Sequence, residues 1–251
     1  MSAWVGIGRS EIGLARASNQ DAFAIIDRLG LWAVADGMGG HVGGEIAAQT
    51  AIASVKAQAE LSAELLHPDH GHGAPTEFLT NLIAQAHDAI LGRAKLDPKL
   101  KGMGTTIVLL LILSLPTPTA HVAHLGDSRA YRFRSGTLTP LTRDHTLIEK
   151  YLARGILTKE SARTHPERHV LTRALGMSSP VKPVVTSYPL QPEDLLLLCS
   201  DGLTKMLEDD DIRNIFSKAK GDPIRTCDRL ITESLERGGE DNVTVVVIAH
   251  P

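Results

Sequence analysis

Seven short runs along the chain are mostly apolar: residues 22–27, 31–35, 105–115, 121–125, 130–134, 194–199 and 243–249. They are rich in Val, Ile and Leu, and most are too short for a helix, so they read as strands. Several are apolar at successive positions instead of alternating, which predicts burial of both faces. Four other segments carry apolar residues at helical spacing: 44–60, 76–96, 209–219 and 223–237. The second stops at Asp97-Pro98, and the acidic run 208–211 reads as a charge-favoured helix start. Strands, two helices, strands, a long helical and irregular insert, then strands and helices follow one another. That order is not the regular strand-helix alternation of a doubly wound parallel sheet. It predicts an α+β layered domain, with sheets covered by helices.

The same apolar runs deliver acids. Strands end, or nearly end, at Asp36 in LWAVADGMGG, at Asp127 in HVAHLGDSR and at Asp201 in LLLLCSDGL, each beside turn-forming residues. Asp241, in GGEDNVTVVVI, stands just before a strand. Any one of them could cap a turn or a helix. Four that converged would repel one another strongly, and carboxylates beside buried strands are costly unless neutralised. Nearby bases are few: Arg129 adjoins Asp127, and Lys205 follows Asp201. A hard divalent cation, or a pair, solves this economically, since Mg²⁺ and Mn²⁺ prefer oxygen ligands. No histidine adjoins Asp36, Asp201 or Asp241, which argues against zinc. Gly37, Gly39, Gly40, Gly43 and Gly44 leave the turn after Asp36 nearly bare, open to a metal or a substrate. This run is no nucleotide loop: a GxGxxG register from Gly37 meets Val42, and no Lys-Ser/Thr follows. Arg16 lies ahead of a strand, and its guanidinium could grip two oxygens of a phosphate.

Composition narrows the alternatives. The 251 residues are 43% apolar but only 4% aromatic, with a formal charge of −3. Neither a stacking platform for single strands nor a binder of the phosphate backbone fits, so no nucleic-acid partner is expected. Two cysteines, Cys199 and Cys227, build no disulfide framework, and the first residues carry no apolar signal core. The longest apolar run, 107–113, cannot span a bilayer. A monomeric cytoplasmic protein with no membrane partner is expected. His67, His70 and His72 fall in HPDHGHGAP, which reads as a solvated loop instead of a metal site.

Eight motifs together resemble one family. They are RASNQDA (16–22), ADGMGGH (35–41), GMGTT (102–106), LGDSRAY (125–131), LTRDHT (141–146), HPERHVLTRALG (165–176), CSDGL (199–203) and GGEDNVTVVVI (238–248). In this order they resemble the metal-dependent Ser/Thr protein phosphatases of the PPM family (type 2C) in their compact bacterial form. They run from Arg16 to Ile248, so a single domain over 1–251 is expected.

The resemblance implies a four-layer α-β-β-α sandwich, two antiparallel sheets flanked by helices. It implies that Asp36 bridges two Mg²⁺ or Mn²⁺ ions, with the Gly37 carbonyl on one of them and Asp201 and Asp241 completing the other. Asp127 would share a third, weaker metal with Asp201, and Arg16 would hold the substrate phosphate. The segment 142–183 corresponds to a mobile flap thought to influence substrate choice. The implied reaction is attack of a metal-activated water on phosphoserine or phosphothreonine in proteins, opposing a Ser/Thr kinase. His41 is the candidate proton donor, with a water-exposed turn histidine as its alternative. The chain departs from the family in two places. Gln20 stands where members often carry Glu, leaving Asp21 behind the ligands at best, and Met38 stands where animal relatives place a histidine. Two other functions stay open: a catalytically silent phosphoprotein-binding module and a phosphatase for small metabolites.

Overall fold

The computed structural model describes residues 4–38, 43–66, 71, 73–114, 117–163, 165–177 and 181–250. Its strands are β1 (Val5–Glu11), β2 (Asp21–Ile26), β3 (Leu31–Met38), β4 (Gly104–Thr105), β5 (Ile107–Leu113), β6 (Thr119–Leu125), β7 (Arg129–Arg134), β8 (Thr137–Pro140), β9 (Val184–Pro189), β10 (Leu195–Cys199) and β11 (Val243–Ala249). The helices are α1 (Gly43–Leu61), α2 (Ala74–Leu96), α3 (Leu147–Ala153), α4 (Lys159–Arg163), α5 (Asp201–Met206), α6 (Asp209–Ala219) and α7 (Pro223–Glu236). One sheet has the order β1-β11-β10-β7-β8; the other runs β2-β3-β5-β6-β9, with β4 paired to β3. All these pairings are antiparallel.

The unbroken apolar runs feed two cores at once, because successive side chains leave a strand on opposite faces. In β10 and β11, Leu195, Leu197, Cys199, Val243, Val245 and Val247 pack towards residues of α5, α6 and α7. Their neighbours Leu196, Leu198, Val246 and Ile248 pack instead on Trp32, Val34, Val108 and Leu110 of the other sheet. That second sheet turns Leu31, Ala33, Ala35, Ile107, Leu109 and Leu111 towards α1 and α2. The three cores make a four-layer α-β-β-α sandwich, the fold class expected from the sequence. In α1, the buried alanines Ala47, Ala48 and Ala51 let the helix lie close on its sheet.

The segment expected as one strand over 105–115 breaks at Thr106 into β4 and β5. Strands β1, β8 and β9 and helices α3, α4 and α5 have no counterpart among the elements expected from periodicity. His67, His70 and His72 lie outside the described residues, while Ala74 and Pro75 open α2. Among the described residues, no helix is long and apolar enough to cross a membrane.

Candidate active site

The acids come together where the ends of both sheets meet. Asp36 faces Asp21 across the β2–β3 pair. It does not end its strand, as the sequence pattern suggested, because Gly37 and Met38 go on to pair with β4. Thr106 fixes the main chain here: its Oγ1 accepts from Asp36 N at 3.0 Å and bonds Ser128 Oγ at 2.6 Å, next to Asp127. Thr105 Oγ1 donates to Asp36 O at 2.9 Å. At Gly37 a Cβ would stand 2.1 Å from the Gly44 carbonyl oxygen, so only glycine lets the start of α1 approach. Asp201 opens α5, and a Cβ on Gly202 would lie 1.9 Å from Asn242 O, so the loops carrying Asp201 and Asp241 touch through backbone. Asn242 secures the Asp241 loop: its Oδ1 accepts from Gln20 N, and its Nδ2 donates to Ile12 O and Ser18 O, at 2.8–2.9 Å.

Asp36, Gly37, Asp127, Asp201, Asp241 and Arg16 all line one cavity of about 660 Å³. His41 lies outside the described residues. His169, Leu171 and Met177, from the excursion between β8 and β9, line the same cavity. Two isolated bridges, Thr146 with Leu171 and Thr105 with Leu175, hold that excursion against itself and against β4.

Burial makes ionisation of this cluster difficult. Desolvation, opposed by hydrogen bonds from Thr244 and Ser200, raises the carboxyl of Asp21 to about 6, with help from the Asp201 and Asp241 charges. Desolvation and the charge of Asp201 push Asp127 to about 7. Desolvation, with Asp21, Asp201 and Asp127 nearby, lifts Asp36 well above the ordinary carboxylate range. Asp241 goes the other way: although burial opposes ionisation, bonds from Lys205 and Arg16 hold it below the ordinary value. Arg16 grips both oxygens of Asp241, Nε to Oδ1 at 2.7 Å and a terminal nitrogen to Oδ2 at 2.9 Å. Arg129, the base beside Asp127 in sequence, is committed elsewhere, as a two-pronged pair with Asp144 at 2.8 Å.

The oxygen-only donor set suits Mg²⁺ or Mn²⁺. Asp201 Oδ1 and Asp21 Oδ1 are buried and hydrogen-bond nothing, which is costly for a carboxylate and fits a site meant for a cation. Among the described residues no three acidic, His or Cys side chains form a ready-made cage. The carboxylates instead engage the chain's own cations, Arg16 and Lys205. Three contributors to the site went unread in the sequence. Asn242 was hidden behind Asp241, Ser200 Oγ donates to Asp21 Oδ2 at 2.7 Å, and His169 sits in a segment with no strand to place it.

Comparison with known proteins agrees with this architecture. The family model described as Protein phosphatase 2C matches residues 7–237. The Ser/Thr phosphatase stp of Listeria welshimeri is 34% identical over 243 residues, covering 96% of this chain and 93% of that protein. The Ser/Thr protein phosphatase PstP of Mycobacterium tuberculosis is 36% identical over 239 residues, 95% of this chain, which spans only 43% of that longer relative. The crystal structure of the PstP catalytic domain in complex with two manganese ions superposes with a TM-score of 0.81 at 33% identity, covering 98% of this chain and 97% of that one. With its fold, its motif order and these matches in agreement, the chain belongs to the protein phosphatase 2C family.

Proposed function

We propose that the chain hydrolyses phosphoserine and phosphothreonine in proteins, opposing a Ser/Thr kinase, at a binuclear Mg²⁺ or Mn²⁺ centre. The observation that carries the reading is the gathering of Asp36, Asp127, Asp201 and Asp241 around one cavity, with a buried, partnerless oxygen on Asp201. Asp36 would hold both cations, with the Gly37 carbonyl on one and Asp201 and Asp241 on the other, and Asp127 with Asp201 would hold a third, weaker one. When bound, such cations supply Lewis acidity, which acidifies a water for in-line attack on phosphorus.

The rest falls to the chain's own groups. Arg16, now on Asp241, is placed to turn its two-pronged donor set to phosphoryl oxygens. His41 is assigned the proton for the departing serine or threonine oxygen. Neither cysteine is a nucleophile candidate, because burial pushes both thiols up to about 12. His169, Leu171 and Met177 would meet the residues flanking the phosphorylated side chain. A silent binding module draws support from the ion pairs that already engage Asp241.

One experiment separates these readings. Mn²⁺-dependent release of phosphate from phosphothreonine peptides is expected, abolished by EDTA and by Asp36→Asn or Asp241→Asn. Full turnover in metal-free protein would overturn the proposal. No turnover despite bound Mn²⁺ would favour the silent module, and faster turnover of sugar phosphates the metabolite enzyme.

A further inference from the structure

Lys205 stands where the divalent cation would have to go. It lies one helical turn after Asp201 on α5, so the i, i+4 spacing brings its ammonium back over that carboxylate. Nζ donates to Asp201 Oδ2 at 2.6 Å and to Asp241 Oδ2 at 2.7 Å, joining two acids 40 positions apart. Arg16 takes Asp241 Oδ1 as well. Of the four oxygens on these two carboxylates, only Asp201 Oδ1 is left without a bond. Asp241 therefore offers a cation no oxygen free of the chain's own cations, and a divalent ion held between the two carboxylates would lie against the ammonium that now joins them, at a strong electrostatic cost. The side chain is 26% exposed, so its flexible stem has a way outward.

We propose that Lys205 is a built-in competitor of the metal, neutralising Asp201 and Asp241 in the metal-free protein and leaving when a divalent cation takes them. The inference rests on the metal centre proposed above. Its consequence is a threshold. Without metal the site is not a bare cluster of repelling acids, so the apo protein keeps its shape, and the centre loads only when free metal is high enough to displace the ammonium. Burial does not release the lysine's proton, because Asp201 and Asp241 hold its pKa above the ordinary value.

The test is calorimetric titration of Mn²⁺ alone into chelator-stripped wild type, Lys205→Met and Lys205→Gln, with melting temperatures in EDTA alongside. Removing a charge-assisted bond from the ligand oxygens is expected to tighten Mn²⁺ binding about tenfold or more in both variants. The same change should lower the melting temperature in EDTA, where the two carboxylates lose their counter-ion. Wild type that binds Mn²⁺ as tightly as both variants, or a melting temperature unmoved in EDTA, overturns the competition and leaves the metal centre standing. No Mn²⁺ binding by any of the three proteins overturns the metal centre itself.

Discussion

Replacing Asp127 by asparagine should stabilise the metal-free protein, and only at higher pH. The side chain is raised from the ordinary 3.8 to about 7, chiefly by desolvation and by the Asp201 charge. A raised carboxyl binds its proton more tightly in the folded state. Its favourable contribution is thus complete below about pH 4 and is lost as pH climbs through 7. The full loss for such a displacement is about 4 kcal/mol. The substituted amide mimics the neutral acid at every pH, so its advantage over aspartate should widen by about 2.6 kcal/mol between pH 5 and pH 8. Urea unfolding of both proteins in EDTA at the two pH values measures this. Titrating histidines such as His145, pushed down to about 4 mainly by burial, are common to both proteins and cancel in the difference. Saturating Mn²⁺ should shrink the gap, since a nearby divalent cation favours the ionised acid. A gap that is constant or narrows from pH 5 to pH 8 would refute the reasoning, for it would mean that Asp127 ionises freely in the fold.

Two further substitutions probe positioning. Arg16→Ala should raise KM more than it lowers kcat, if the guanidinium holds phosphate equally in ground and transition states; steady-state kinetics on a phosphothreonine peptide would show a fall in kcat alone if it does not. Asn242→Ala removes three hydrogen bonds that tie the Asp241 loop to residues 12, 18 and 20. It should cost about 3 kcal/mol in urea unfolding and weaken Mn²⁺ binding, whereas unchanged metal affinity would show that the loop holds its shape unaided.

The interior of the fold was legible because its strands are apolar on both faces, and 243–249 and 209–219 were located to the residue. The strand β1 was not. Its glycines Gly6 and Gly8 look like loop, yet a Cβ there would stand 2.3 Å from Trp32 and 2.4 Å from Phe23, so they are glycine to seat those rings. The strands β8 and β9 are polar, half-exposed edges, held in place by pairing that no local pattern announces. The acids could be read because each adjoins an apolar run. What they bond could not: Arg129 looked free to serve Asp127 until Asp144 appeared beside it in space. Lys205 looked like an ordinary base because α5 is too short to show periodicity, and helical geometry is what turns it onto Asp201.

The strand β11 lies between β1 and β10, although it follows every other strand in sequence. Asp241 and Asn242 stand at its entrance. The sheet that carries Asp36 on β3 draws all its strands from residues 21–189. Its sister sheet is continuous only through residues 243–249, which pair with β1 on one side and β10 on the other. The acid cluster therefore draws on distant parts of the chain, Asp36 from β3 and Asp241 from the entrance of the last strand. A chain lacking its last strand would keep Asp36 and Asp127 in place but would have nothing to hold Asp241 beside Arg16.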